Sequence, residues 1–177
     1  LSNTNPNHNS KKIGTGMIVL MWLLVMGLLT YLFDDWLEQQ TNPNQEIITR
    51  TGLNDWREVV LQRNKYGHYL ATGKINDQDV VFLLDTGATT VAIPMALAQR
   101  LRLQAGSSQT INTANGVSLA YATQLANVSI GVINITDVPA TISPGLGGEY
   151  VLLGMSFLKH IDFSQRADIL ILRQAAP

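Results

Sequence analysis

Between residues 13 and 33 the chain reads IGTGMIVLMWLLVMGLLTYLF, without a single charge. In a helix rising about 1.5 Å per residue, such a run reaches across a hydrocarbon layer of roughly 30 Å. So long an uncharged stretch argues against a buried core helix. A cleaved signal peptide has a shorter apolar region ending at a small-x-small site, and LLTYLFDDW offers none. One transmembrane helix over residues 13–33 is therefore expected. Trp22 lies inside it, and Tyr31 and Trp36 sit near its far end, where an interface belt would fall. Lys11 and Lys12 precede the run, and Asp34, Asp35 and Glu38 follow it. The positive-inside rule then expects residues 1–12 in the cytoplasm. Everything beyond residue 34 is expected outside it, as the exported part of a single-pass membrane protein.

The rest of the composition mainly excludes. A net charge of −1 gives no basic surface for nucleic acid. The absence of cysteine removes disulfides, thiolate metal sites and thiol nucleophiles. His8, His68 and His160 are not spaced as a helical metal pair, and neither GxxxxGK[ST] nor GxGxxG occurs. No metal and no cofactor is expected.

After the apolar run, residues 34–65 are polar and mixed. QQTNPNQE reads as linker, and LNDWREVVLQR fits a short helix or a strand. From residue 66 to 177 the pattern is a small, mainly β domain with one or two short helices. GHYLATGKI and VVFLL flank NDQD, a hairpin signal. PMALAQRLRL, residues 94–103, places Pro at a helix start with apolar residues at helical spacing. QTINTANGVSLAYATQLANVSIGVINI suggests successive strands, with Asn115-Gly116 as a two-residue hairpin turn. YVLLG reads as a strand stopped by Gly154, SFLKHI as a short helix with Ser156 near its cap, and ADILILR as a final strand.

The segment VVFLLDTGATTVAIP poses a chemical question. Five apolar residues run directly into Asp85. A lone carboxylate at the end of a buried strand is costly unless a partner or a proton compensates it. Taken by itself, Asp85 with Thr86 and Gly87 could be an ordinary turn cap.

The surrounding elements favour another reading. An apolar strand ending in DTGAT, an Asn-Gly hairpin about thirty residues later, and LLGMSFL resemble the retropepsin-like aspartic proteases, the family of the retroviral proteases. GHYLATGKIN before the acid-bearing strand and TANG after the helix resemble bacterial members that carry one N-terminal membrane helix. The resemblance spans residues 66–173 and implies a small closed-barrel-like acid-protease fold. It implies Asp85 as the catalytic carboxylate, in a loop completed by Thr86, Gly87, Ala88 and Thr89. Thr86 would lock paired loops together, and Ala88 would line the substrate cleft. Ala114, Asn115 and Gly116 would form a flap over substrate, and Leu152, Leu153 and Gly154 would brace the loop from behind.

Only one DTG is present. Two carboxylates sharing a proton can activate water and protonate a carbonyl, and aspartic proteases are a standard case of that logic. The second Asp85 would come from a second copy, so a homodimeric endopeptidase acting on protein or peptide is expected. In retroviral relatives the chain termini interleave across the dimer, and a tethered N-terminus departs from that pattern. A non-catalytic peptide-binding module, or a hydrolase of an unusual amide, are the alternatives. A serine hydrolase built on Ser156, His68 or His160 and Asp162 fails because GMSFL lacks the second glycine of a nucleophile elbow.

Overall fold

A computed structural model describes residues 7–51, 56–113 and 116–175. The chain divides into two compact units, Leu1–Gln39 and Gln40–Pro177. The first is carried by helix α1 (Asn7–Thr41), whose last residues, Gln40 and Thr41, belong to the second unit. It is the one helix long and apolar enough to cross a membrane among the described residues. Its apolar side chains, from Met17 through Phe33, are exposed all along their length.

The second unit is mainly β, as expected, and contains two sheets. The smaller has the order β1 (Ile48–Thr51), β2 (Arg57–Gln62), β11 (Ile169–Gln174), β10 (Asp162–Arg166), all antiparallel. The larger has the order β3 (Leu70–Ile75), β4 (Gln78–Leu84), β9 (Tyr150–Leu153), β5 (Val91–Pro94), β8 (Ile133–Ser143), β7 (Gly116–Ile130), β6 (Ser108–Thr113). A two-residue pairing, Lys74 with Ser129 and Ile75 with Val128, joins β3 back to β7 and gives the sheet its barrel-like curl. Helices α2 (Met95–Arg100) and α3 (Met155–Leu158) are short.

Local chemistry accounts for these elements. Asn76 and Asp77 take the left-handed backbone region at φ 47° and 65° between Ile75 and Gln78. That is the geometry a two-residue hairpin demands, and short amide and carboxylate side chains tolerate it. In β2, Val59 and Leu61 are fully buried, and their partners in β11, Leu172 and Leu170, are buried too. Period-two burial decides that REVVLQ is a strand. Residues 34–65, expected as a linker, thus carry two strands of the smaller sheet. Pro94 ends β5 and precedes α2, where its missing N–H costs no helical bond.

Three buried asparagines hold the segment after α1. Asn44 donates through Nδ2 to the Gln62 and Leu70 carbonyls at 2.9 and 2.6 Å, and its Oδ1 accepts from Gln62 N–H at 2.7 Å. Asn42 donates to Thr72 Oγ1 at 3.2 Å. Asn64 donates to the Thr41 carbonyl at 2.9 Å and accepts from the Tyr66 and His68 N–H groups. The core of the unit lies between the sheets and α2 and α3, with Phe82, Ile93, Leu125, Ile142, Leu153 and Phe157 fully or almost fully buried.

Candidate active site

Asp85 stands directly after β4, half-buried, where the apolar strand gives way to a loop leading to β5. The element that fixes this loop is β9. It pairs in parallel with β4, placing Leu153 beside Leu84, and meets β5 at a single pair, Leu152 with Ala92. The strands on either side of the Asp85 loop are therefore wedged apart by the LLG segment. The Asp85 N–H donates to the Leu153 carbonyl at 3.2 Å, so the acid's backbone is tied to that wedge.

Within the loop, the Gly87 N–H donates to Asp85 Oδ1 at 2.9 Å. A Cβ on residue 87 would stand 3.2 Å from that oxygen, so glycine permits a close backbone approach. The Ala88 N–H closes a turn onto the Asp85 carbonyl at 3.2 Å. Thr86 and Thr89 are exposed and Ala88 is half-buried. Behind the loop, the Met155 N–H donates to the Ala88 carbonyl at 2.8 Å and the Ser156 N–H to the Thr89 carbonyl at 3.0 Å. The first backbone N–H groups of α3 thus hold two successive carbonyls of the acid-bearing loop.

Gly154 makes that contact possible. A Cβ there would lie 2.4 Å from the Thr90 carbonyl oxygen and 2.5 Å from that of Ala88. Both neighbours are backbone atoms with little freedom to move. We expect Gly154→Ala to cost about 1–3 kcal/mol, in the range for forced overpacking. The change reads out as a lower denaturation midpoint accompanied by lost activity, and an unchanged midpoint would remove the bracing role.

Ser156 has a different role from the cap expected of it. Its buried hydroxyl accepts from the Val91 N–H at 2.9 Å, and α3 has Gly154 at its N-cap without a side-chain capping bond. A second polar tie, Thr90 Oγ1 to Thr141 Oγ1 at 3.2 Å, joins the loop's end to β8. Sequence reading missed both ties. The signal available was three small hydroxyl residues, Thr90, Thr141 and Ser156, each within or beside an apolar stretch. His68 and His160 are exposed, as is Asp162, whereas the Ser156 hydroxyl is buried against the Val91 N–H.

The hairpin expected at Asn115-Gly116 is formed by β6 and β7, but offset by one residue. Thr113 pairs with Gly116, so the two intervening positions are Ala114 and Asn115 rather than Asn115 and Gly116. Ala114 and Asn115 lie outside the described residues. Gly116 has φ 103°, a region L side chains rarely adopt. Register places Val117 and Leu119 on one face, and they are 73% and 50% exposed. Ser118 points the other way, and a Cβ on Gly145 would approach its Oγ to 3.0 Å. The loop after β8 that carries Gly145, Gly147 and Gly148 therefore lies against the hairpin.

Comparisons with known proteins agree with this geometry. The family model described as "gag-polyprotein putative aspartyl protease" matches residues 71–160. A curated Sinorhizobium protein, described as an uncharacterized protein in the cobV 5′ region, is 36% identical over 121 residues, covering 66% of this chain and 52% of the relative. The uncharacterized protein RP867 of Rickettsia prowazekii is 32% identical over 120 residues, covering 65% and 51% respectively. The chain spans about half the length of these curated relatives. Among solved structures, a retropepsin-like aspartic protease from Rickettsia conorii superposes with a TM-score of 0.60 at 30% identity, covering 74% of this chain and 97% of that one. The strand-borne acid, the wedge behind it and these likenesses together assign the chain to the retropepsin-like aspartic protease family.

Proposed function

We propose that this chain is a membrane-anchored aspartic endopeptidase, active as a homodimer with one Asp85 from each copy. The observation that carries the reading is the Asp85 loop itself. The carboxylate is half-buried, has one oxygen held by the Gly87 N–H, and rests on a backbone braced by β9 and α3. Such bracing suits a group that must be positioned rather than merely solvated.

In the proposed reaction, an ionised Asp85 takes a proton from water, and the water oxygen attacks the scissile carbonyl carbon. The protonated Asp85 of the second copy gives its proton to the carbonyl oxygen. Collapse of the tetrahedral species breaks the C–N bond as the first Asp85 passes its proton to the departing nitrogen and a diol hydroxyl returns a proton to the second. A carboxylic acid and an amine result. Thr86 ties the two loops to each other, Ala88 and Thr89 line the cleft, and the hairpin carrying Ala114, Asn115 and Gly116 closes over bound peptide and excludes water. Leu152, Leu153 and Gly154 hold the loop in register.

The anchor in this reading is residues 13–33. Apolar side chains exposed along all of that helix suit hydrocarbon and are costly in water. The flanking charges favour a cytoplasmic N-terminus and a periplasmic domain. Protease added to intact spheroplasts is expected to digest the domain, and digestion only after lysis would reverse the topology.

The enzymatic test uses the full chain in detergent micelles with a peptide library. Cleavage is expected, with a rate that falls both in strong acid and in alkali, because one carboxylate must be protonated and one ionised. A rate constant from acid to alkaline pH would contradict the shared-proton mechanism.

A further inference from the structure

The buried asparagines have a consequence for where this enzyme can cut. The inference rests on the proposed membrane anchor and names the substrates within its reach. Residues 40–44 are not free chain. The Gln40 carbonyl accepts from the Lys65 N–H at 3.5 Å, and the Thr41 carbonyl from Asn64 Nδ2 at 2.9 Å. Asn42 and Asn44 are 8% and 3% exposed, and the Asn44 carbonyl accepts from the Thr72 N–H at 3.3 Å. Five consecutive residues thus contain four that are bonded into the body of the domain. The charge-free run ends at Phe33. Only residues 34–39 remain between the apolar run and the clamped segment.

We propose that this asparagine clamp makes the chain a short-reach protease, which cuts membrane-anchored substrates only at sites within its reach of the bilayer surface. Residues 34–39 span at most about 20 Å even when fully extended, at ~3.3–3.6 Å per residue. A domain of this size is roughly 35–40 Å across, from a radius of gyration of about 14 Å. No part of the domain then stands farther than about 60 Å from the hydrocarbon boundary. A flexible linker of residues 34–65 would have allowed far more. The number of residues, and not any particular angle, sets this limit. A peptide bond held rigidly beyond it is out of reach, however well its side chains fit the cleft.

The chain contains no cysteine, so one introduced thiol is a unique label site. The test places Gln165→Cys, an exposed position in β10, in the full chain reconstituted into vesicles. A donor dye on that thiol is paired with acceptor-labelled lipid headgroups. Reporters anchored in the same vesicles carry one cleavable segment on semi-rigid helical spacers, either short or longer than about 100 Å. A second variant carries about 30 Gly and Ser residues inserted after Gln39, leaving the clamp intact.

The expected result has two parts. The chain without the insertion gives strong energy transfer and cuts the short-spacer reporter at least tenfold faster than the long one. The insertion lowers the transfer and brings the two cleavage rates within about twofold. Equal cutting of both reporters without the insertion would overturn the proposal. So would energy transfer that the insertion leaves unchanged, because residues 34–39 would then not set the reach. If neither form cuts any reporter, the protease reading fails, while the energy-transfer comparison still decides whether the tether is short.

Discussion

Purified Asp85→Asn is expected to fold normally and to lose at least about a thousandfold in hydrolytic rate, in the range set by removing a general acid–base pair. The fold should survive because the carboxylate's bond within the loop is the one that Oδ1 accepts from the Gly87 N–H, and an asparagine Oδ1 can accept it equally. The loop's remaining bonds are made by backbone atoms of residues 85, 88 and 89, which the substitution does not touch. What disappears is the exchangeable proton. The proposed homodimer would lose both carboxylates at once, so no partial site would remain. Removing two like charges from a shared axis should leave the dimer as stable as before or slightly more so.

A mixing experiment sharpens this result. If subunits exchange, adding an equal amount of Asp85→Asn to a fixed amount of unaltered chain should lower activity to about half, because random pairing puts many active chains into mixed pairs. A site complete within one chain would keep its full rate. Near-normal hydrolysis by the variant alone would remove Asp85 from the mechanism altogether.

Much of this site was legible because its signals are local. Asp85 follows an apolar strand, Asn76-Asp77 is a turn pair, and Gly154 ends an apolar run. Each choice is dictated by a few adjacent residues. The wedge of β9 between β4 and β5 was less legible. It is a parallel pairing between segments about seventy residues apart, which no local pattern announces. The one-residue offset of the β6–β7 hairpin has a similar cause. Asn-Gly is the strongest short turn signal, but register is set by what the strands bury, and Ala120 is fully buried while Val117 and Leu119 are not.

Residues 40–65 show a different failure. Asn, Pro, Gln and Thr mark a linker by composition. The same residue types also satisfy buried backbone groups, and here Asn42 accepts from the Asn44 N–H while Asn44 and Asn64 donate to backbone carbonyls. Composition cannot separate the two roles, because the difference lies in whether carbonyls and N–H groups such as those of Gln62 and Leu70 converge on the amide.

The second large effect concerns concentration. In detergent, specific activity of the full chain should fall as the protein is diluted, because each site of the proposed homodimer needs two copies. In vesicles held at a fixed protein-to-lipid ratio it should stay constant at any bulk dilution. Anchoring confines both copies to a thin layer and raises their effective concentration without adding a contact. The thickness of that layer follows from the segment between the apolar run and the clamp. Residues 34–39 continue helix α1 and rise about 9 Å at ~1.5 Å per residue, whereas a flexible segment of residues 34–65 would spread each domain over about 30 Å, taking ~5–6 Å × √n. In the proposed dimer the clamp therefore concentrates the copies roughly threefold beyond what a long linker would, in proportion to layer thickness. Inserting a long Gly-Ser segment after Gln39 should accordingly shift the activation midpoint in vesicles to about three times the surface density. Constant specific activity in detergent down to nanomolar protein would mean that the pair is held tightly by its own interface. The anchor would then decide only where the enzyme cuts, and the dependence on surface density would vanish with it.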